Sequence, residues 1–350
     1  MHDLVESHTG TLIFVNTRSV AEDIAFRMSL YYREALLKVH HGSLSRDVRE
    51  EAESLFKAGK VKGLICTSSL ELGIDIGSAD LVIQFNSPRQ INKLIQRTGR
   101  SGHWIKKKSK GIIICSDIIE LEEAMAIVGQ VYDKRLEPVI IRKGSLATVA
   151  NQIILETHRK KSFDSDIFYD AIIRSYPLNN MTREEYDEVV KFLEETRKIR
   201  VEGKTLWRRS GTLDYFITNI SMIPSEKNYR VIDIINRKFV GTLDERYVLN
   251  EVEPGSYFVI RGATWRTVRV EEDKILVEPF QTAALAPKWT GEDIPVMQDV
   301  VNRVSENREK KVVEDYVSGK SRDILSEWYK NDSGTIDRFI IESQGSEIVI

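Results

Sequence analysis

Cysteine is almost missing from this chain. Cys66 and Cys115 are the only two in 350 residues, and both lie in apolar runs. That excludes a disulfide framework and leads us to expect buried thiols in a reducing, intracellular and cytoplasmic setting of prokaryotic type. No apolar run approaches the ~18 residues needed to cross a bilayer, and the N-terminus lacks the charged-then-apolar order of a signal, so no membrane partner is expected. Charge bias is also missing. Fifty-one Lys and Arg face 53 Asp and Glu, a formal net charge of -2, which excludes a uniformly basic nucleic-acid binder but leaves local basic stretches able to track phosphates. No cluster has metal-ligand spacing, so no metal site is expected, and no Ser/His/Asp or Cys/His set points to a nucleophile. Internal repeats and low-complexity tracts are lacking as well.

What is present is a change of pattern along a chain too long for one typical domain. The apolar runs TLIFVN, LLKVH, KGLIC, DLVIQF and KGIIIC alternate with helical stretches through the first 115 residues. This predicts a parallel sheet covered by helices, with functional loops at the carboxyl ends of its strands: 16–18, 40–43 and 67–75. Ser19 and Glu22 have capping-box spacing at the head of the first helix, with Ala21, Ile24, Ala25 and Met28 on one face. Val48, Ala52, Leu55 and Phe56 give a second helix the same rhythm. After Pro138, helices over 145–160, 165–175 and 182–196 and the strands KIRVE and TLWRR predict a winged helix. The alternating stretches of 229–281 predict a small antiparallel barrel or sheet with Trp265 in its core. "PKWTGEDIPV" then opens a mostly helical segment that stops at "GSEIVI", as a truncated fragment would. The expected domains are therefore 1–137, 138–225, 226–290 and 291–350.

Several residues stand out. Asp75 lies between Gly73 and Gly77, a spacing that fits a tight turn or an acidic loop at a ligand edge. "LIQRTGRSGH" (94–103) sets Arg97 and Arg100 three apart across a glycine, where cations also complement a helix C-terminus. His40 and His41 fit either a structural pair or a phosphate contact. "WIKKKSK" (104–110) reads as a solvated loop or a phosphate contact, and Trp289, between Pro287 and Gly291, reads as a base-stacking aromatic.

Taken in order, "FVNTR", "HHGSLS", "TSSLELGIDIG" and "QRTGRSGH" resemble the second RecA-like domain of a superfamily 2 helicase. "VHHGSLSRDVREEAE", "CTSSLELGIDIGSADLVIQ", "SPRQINKLIQRTGRSGH", "AIIRSYPLNNMTREEYDEVVKFL" and "PKWTGEDIPV" narrow the resemblance to the large helicase-related family. The resemblance implies a RecA-like parallel-sheet domain, a winged helix, a small β-barrel and a helical C-terminal segment. It also implies an ATP-dependent helicase moving 3′ to 5′, acting on single-stranded DNA and duplex or RNA:DNA substrates in repair or recombination, with single-stranded DNA, RNA or an RNA:DNA hybrid as partner. Arg97, Arg100 and Gln96 would be catalytic. Gly73 and Asp75 would bind ATP. Thr17, Arg18, His41, Gly42, Ser43, Thr67 and Trp289 would contact nucleic acid. ATP with Mg2+ would be held mainly by a first RecA-like domain that is absent here. No G-x-x-x-x-G-K-[ST] loop occurs, and "DERY" (244–247) lacks the histidine of a DExH box. The chain alone is thus expected to be inactive. The rival readings are a non-enzymatic winged-helix nucleic-acid binder and an RNA-directed helicase.

Overall fold

A computed structural model describes residues 1–31, 36–71, 79–101, 109–222, 227–281, 284–287, 294–331, 342–344 and 347–349. They divide into two compact units, Met1–Glu137 with Glu226–Ile350, and Pro138–Ser225. The chain leaves the first unit, builds the second and returns.

After α1 (His2–Glu6), the first unit carries β1 (Thr11–Phe14), α2 (Arg18–Tyr31), β2 (Leu37–His40), α3 (Arg46–Lys57), β3 (Gly63–Cys66), β4 (Leu81–Phe85), α4 (Ile91–Thr98), β5 (Gly111–Ile114) and α5 (Ile118–Tyr132). The strands form the expected sheet, parallel throughout in the order β2-β3-β1-β4-β5. Alternation along the buried β1 sends Leu12 and Phe14 into one core with Leu64, Cys66, Val82, Ala52 and Phe56. Ile13 and Val15 enter a second core on the other face. Ser45 caps α3 by accepting from Val48 N at 3.3 Å, and Asp47 in its first turn complements the helix dipole. The cap of α2 differs from expectation. The helix starts at Arg18, and Thr17 Oγ1 accepts from Val20 N at 3.2 Å. Glu22 makes no capping box, because its fully buried carboxylate is occupied elsewhere.

The second unit contains α6 (Leu146–Lys160), β6 (Ser162–Asp164), α7 (Ser165–Ile172), α8 (Arg183–Glu195), β7 (Ile199–Glu202), β8 (Thr205–Arg208) and α9 (Thr212–Thr218). The three predicted helices and the hairpin are present, and β6 extends the hairpin into a sheet of order β6-β8-β7. Val149, Ile153, Tyr186, Val189, Leu193 and Leu206 fill its core. Thr182 and Glu185 form a reciprocal capping box at the head of α8.

Back in the first unit, β9 (Asn228–Asp233), β10 (Lys238–Asp244), α10 (Glu245–Glu251), β11 (Tyr257–Ile260), β12 (Ala263–Val270) and β13 (Lys274–Pro279) build a curled five-stranded sheet of order β10-β9-β13-β12-β11. It is mixed, not wholly antiparallel, because β9 and β13 run side by side in the same direction. Trp265 is buried as expected, and its Nε1 donates to Ile260 O at 2.9 Å. Phe258, Trp265, Val231 and Val277 share one continuous core with Ile13, Ile65, Ile83 and Ala21 of the parallel-sheet layer. Two glycines permit that approach. A Cβ on Gly241 would lie 2.9 Å from Ser43 O, and Gly262 (φ +68°) turns the β11–β12 hairpin against Ala25. Helices α11 (Gln298–Lys310) and α12 (Lys320–Asn331) cover α5. There Arg308 grips the buried Glu122 at 2.7 and 2.5 Å, and Tyr316 Oη donates to Met125 O at 2.8 Å. The strands β14 (Glu342–Gln344) and β15 (Glu347–Val349) pair antiparallel. No described helix is long and apolar enough to cross a membrane.

Candidate nucleotide and nucleic-acid site

Helix α4 is amphipathic, and Ile91, Leu94 and Arg97 share its buried face. Arg97 is 1% exposed. Its Nε donates to Glu71 Oε1 at 2.8 Å, and Nη2 lies 2.6 Å from the same oxygen. Nη1 donates to Gln84 Oε1 at 2.7 Å and to Asn16 Oδ1 at 3.1 Å, while the guanidinium sits over the Phe14 ring at 5.5 Å. Arg97 therefore clamps α4 to the carboxyl ends of β1, β3 and β4. Arg97 was expected to touch a phosphate; at 1% exposure, with Nε and Nη1 engaged by Glu71, Gln84 and Asn16, it is instead held inside the protein. Beneath it, burial lifts the Cys66 thiol far above its ordinary range, leaving it a packing group.

Arg100 follows one turn later, its N donating to Arg97 O at 3.0 Å. It is half-buried, has no carboxylate partner among the described residues, and its Nε is buried with no hydrogen-bond partner there. Gln96 is half-exposed on the same helix. The start of α4 has no side-chain cap of its own. Glu137, 45 residues beyond Asn92, fills that role by accepting from Ile91 N and from Asn92 N at 3.0 Å. Beside it, Arg89 donates to Glu120 and Glu123 at 2.6 Å each and Ser87 N to Glu120 at 2.7 Å, bracing the loop before α4.

The expected strand-contact residues divide by burial. Gly42 is exposed with open space around its Cα, and Thr17 and Arg18 are half-buried. Ser43 and Thr67 are buried, and Ser43 Oγ accepts from Arg18 Nη1 at 2.7 Å. His41 is fully buried and donates from Nε2 to Glu22 Oε1 at 2.9 Å, so it cannot touch a nucleic acid; this too is a correction. The same Glu22 accepts from Arg261 N at 2.8 Å and Gly262 N at 2.7 Å, and Thr242 N donates to Ser43 O at 2.9 Å. The 41–43 loop is thus pinned to the curled sheet on two sides. Gly73, Asp75 and Trp289 lie outside the described residues, as do residues 104–108 of the basic run.

His40 is also structural, with Nδ1 2.9 Å from Ser69 Oγ and Nε2 2.9 Å from Glu53 Oε1. Burial lowers its pKa from the ordinary 6.5 despite the opposing pull of Glu53. The unfolded chain then takes up a proton at a pH where folded His40 is still neutral. The stability this gives is complete above 6.5 and is lost as pH falls through the lowered folded value. His40→Gln is expected to remove that part of the acid-side loss. Melting temperatures on either side of pH 6.5 check this, and an identical acid slope in both proteins would refute it.

Residues 1–105 match the helicase conserved C-terminal domain, and residues 129–286 match the winged helix domain of the large helicase-related protein. Over 348 residues the chain is 34% identical to ATP-dependent helicase Lhr-Core protein 2 of Thermococcus barophilus, covering 95% of this chain and 40% of that protein. The chain belongs to the large helicase-related (Lhr) family. Lhr-Core of Methanocaldococcus jannaschii is 32% identical over 88% of this chain and 37% of its own length. In fold, the chain resembles the Mycobacterium smegmatis helicase Lhr, solved with ssDNA and AMP-PNP, with TM-score 0.66 and 24% identity over 94% of this chain and 42% of that one. The chain spans about 40% of the length of the curated Lhr relatives it matches. Sequence reasoning took Glu22 for a helix cap and missed Glu71 and Glu137, the acids that with it fix the Lhr motif loops in place.

Proposed function

We propose that this chain is part of an ATP-dependent helicase that translocates 3′ to 5′ on single-stranded DNA and opens duplex or RNA:DNA substrates in repair or recombination. It supplies the arginine half of an ATP site and part of the strand path. The observation that carries this reading is Arg100, an arginine half-buried at a fixed helix end with an orphaned Nε and no internal anion among the described residues. ATP with Mg2+ supplies a γ-phosphate on which negative charge redistributes, and a guanidinium from a facing domain is worth ~10³–10⁵ in rate there. Arg100 presents that charge. Arg97 and Glu137 are positioning residues that hold the two ends of α4, and Gln96 faces the phosphate or the attacking water. Asp75 and Gly73 meet the ribose edge. Thr17, Arg18 and Gly42 hold strand phosphates without reading bases, with His41, Ser43 and Thr67 behind them, and Trp289 stacks a base. The relatives' names as ATP-dependent helicases support this reading, as does the ssDNA and AMP-PNP on the M. smegmatis protein.

The 350 residues contain no phosphate loop of the G-x-x-x-x-G-K-[ST] kind, and Asp244 of "DERY" caps α10 by accepting from Tyr247 N at 3.0 Å. The chain alone should therefore turn over no ATP with single-stranded DNA present, and should do so once combined with a RecA-like segment carrying that loop. Turnover by the chain alone, or none after combination, would sink the reading. The missing loop favours one rival, a non-enzymatic winged-helix binder, which predicts strand binding and no turnover in either mixture. Comparing DNA:DNA with RNA:DNA unwinding tests an RNA-directed variant.

A further inference from the structure

The second unit has its charge in an unusual place for a winged helix. Helix α8, the third helix, would read a groove in the common docking mode. It carries six carboxylates against two cations, and one of those cations, Arg183, is already held by Asp166 at 2.6 Å and Asp187 at 2.9 Å. That face repels phosphates. The opposite sign gathers where α6 ends. Arg208 N donates to Lys161 O at 2.9 Å, and Ser162 pairs with Trp207, so the end of β8 lies beside the C-terminus of α6. His158 Nε2 lies 2.8 Å from Thr212 Oγ1, which donates to Arg209 O at 2.9 Å and closes the same cluster. Lys161, Arg208 and Arg209 are all exposed, and none has an ion-pair partner among the described residues, whereas the neighbouring Arg159 and Lys160 share Glu156. The Arg208 charge reaches this cluster: burial and then Arg208 hold the His158 pKa below its ordinary value. Three exposed cations at one end of the unit, with no counter-charge among the described residues, favour an external polyanion.

We propose that Lys161, Arg208 and Arg209 form a contact surface for a nucleic-acid backbone, and that this end of the unit, not α8, meets the strand. The proposal rests on the helicase reading above and adds where the winged helix grips. The test is fluorescence anisotropy of the whole chain with a labelled oligothymidylate across a salt series. Replacing Lys161, Arg208 and Arg209 together by serine should flatten the slope of log affinity against log salt by about 2, since each phosphate neutralised on a single strand contributes ~0.7. Arg209→Glu, which alters one exposed side chain, should weaken binding in the same direction at low salt. Glu184→Gln with Glu188→Gln on α8 should leave the slope unchanged. An unaltered slope in the triple variant, or a slope moved by the α8 pair instead, overturns the proposal. Neither result touches the turnover experiment on which the helicase reading stands.

Discussion

Arg97→Ala is expected to lower the unfolding free energy by ~3–5 kcal/mol, the cost of removing one partner from a buried ion pair. The change strips the buried Glu71 of its cation, leaves the oxygens of Gln84 and Asn16 without their donor, and opens a void beside Phe14. Lysine should not rescue it. The three donors of an ammonium sit on one nitrogen and do not reach acceptors spread around a planar fork. Urea denaturation followed by circular dichroism measures the effect. An Arg97→Ala protein as stable as the parent would mean that the arginine is free to leave the network, and the phosphate role would return to it.

Arg100→Ala should behave in the opposite way. The side chain makes no ion pair among the described residues, so its removal should shift stability by no more than about 0.5 kcal/mol, as surface changes do. In a mixture with a RecA-like segment that carries the phosphate loop, ATP turnover should fall ~10³–10⁵-fold with strand affinity retained. Arg100→Lys should recover only a fraction, because a point charge does not reproduce two-pronged contact with phosphate oxygens. Loss of strand affinity with intact turnover would move Arg100 to the nucleic-acid path. Together the two arginines form a pair of controls for each other, one failing in folding and the other in chemistry.

The parallel sheet and the helices of the second unit were legible because their periods are local: runs of apolar residues for strands, and i, i+4 rhythm for Val48 and Ala52 or Val189 and Leu193. The two arginines look alike in "QRTGR", yet the difference between them was also written locally. Ile91, Leu94 and Arg97 recur every three residues along α4, which puts Arg97 on the buried stripe and leaves Arg100 past its end. Glu22 was read as a capping residue from its spacing to Ser19. Its real partners are His41 and, about 240 residues away and beyond any local pattern, the amides of Arg261 and Gly262. The same distance problem hid Glu137, whose acceptor role depends on the chain returning to the head of α4. His41 was misjudged because a strand-end histidine next to an exposed glycine looks accessible until the curled sheet closes over it.

The core running from Ile13, Ile65 and Ile83 into Val231, Phe258 and Trp265 fixes how the first unit comes apart. Peeling the curled sheet from α2 would wet apolar faces on both sides at once and leave the Glu22 carboxylate without its hairpin amides. Partial opening between them is therefore as expensive as melting either layer. Amide protons on β1 and on β12, whose residues are separated by most of the chain, then exchange with solvent through one shared opening event. In hydrogen-exchange terms the two sheets are a single foldon, interrupted in sequence by a unit whose own core, around Ile153 and Leu193, sets a separate opening energy.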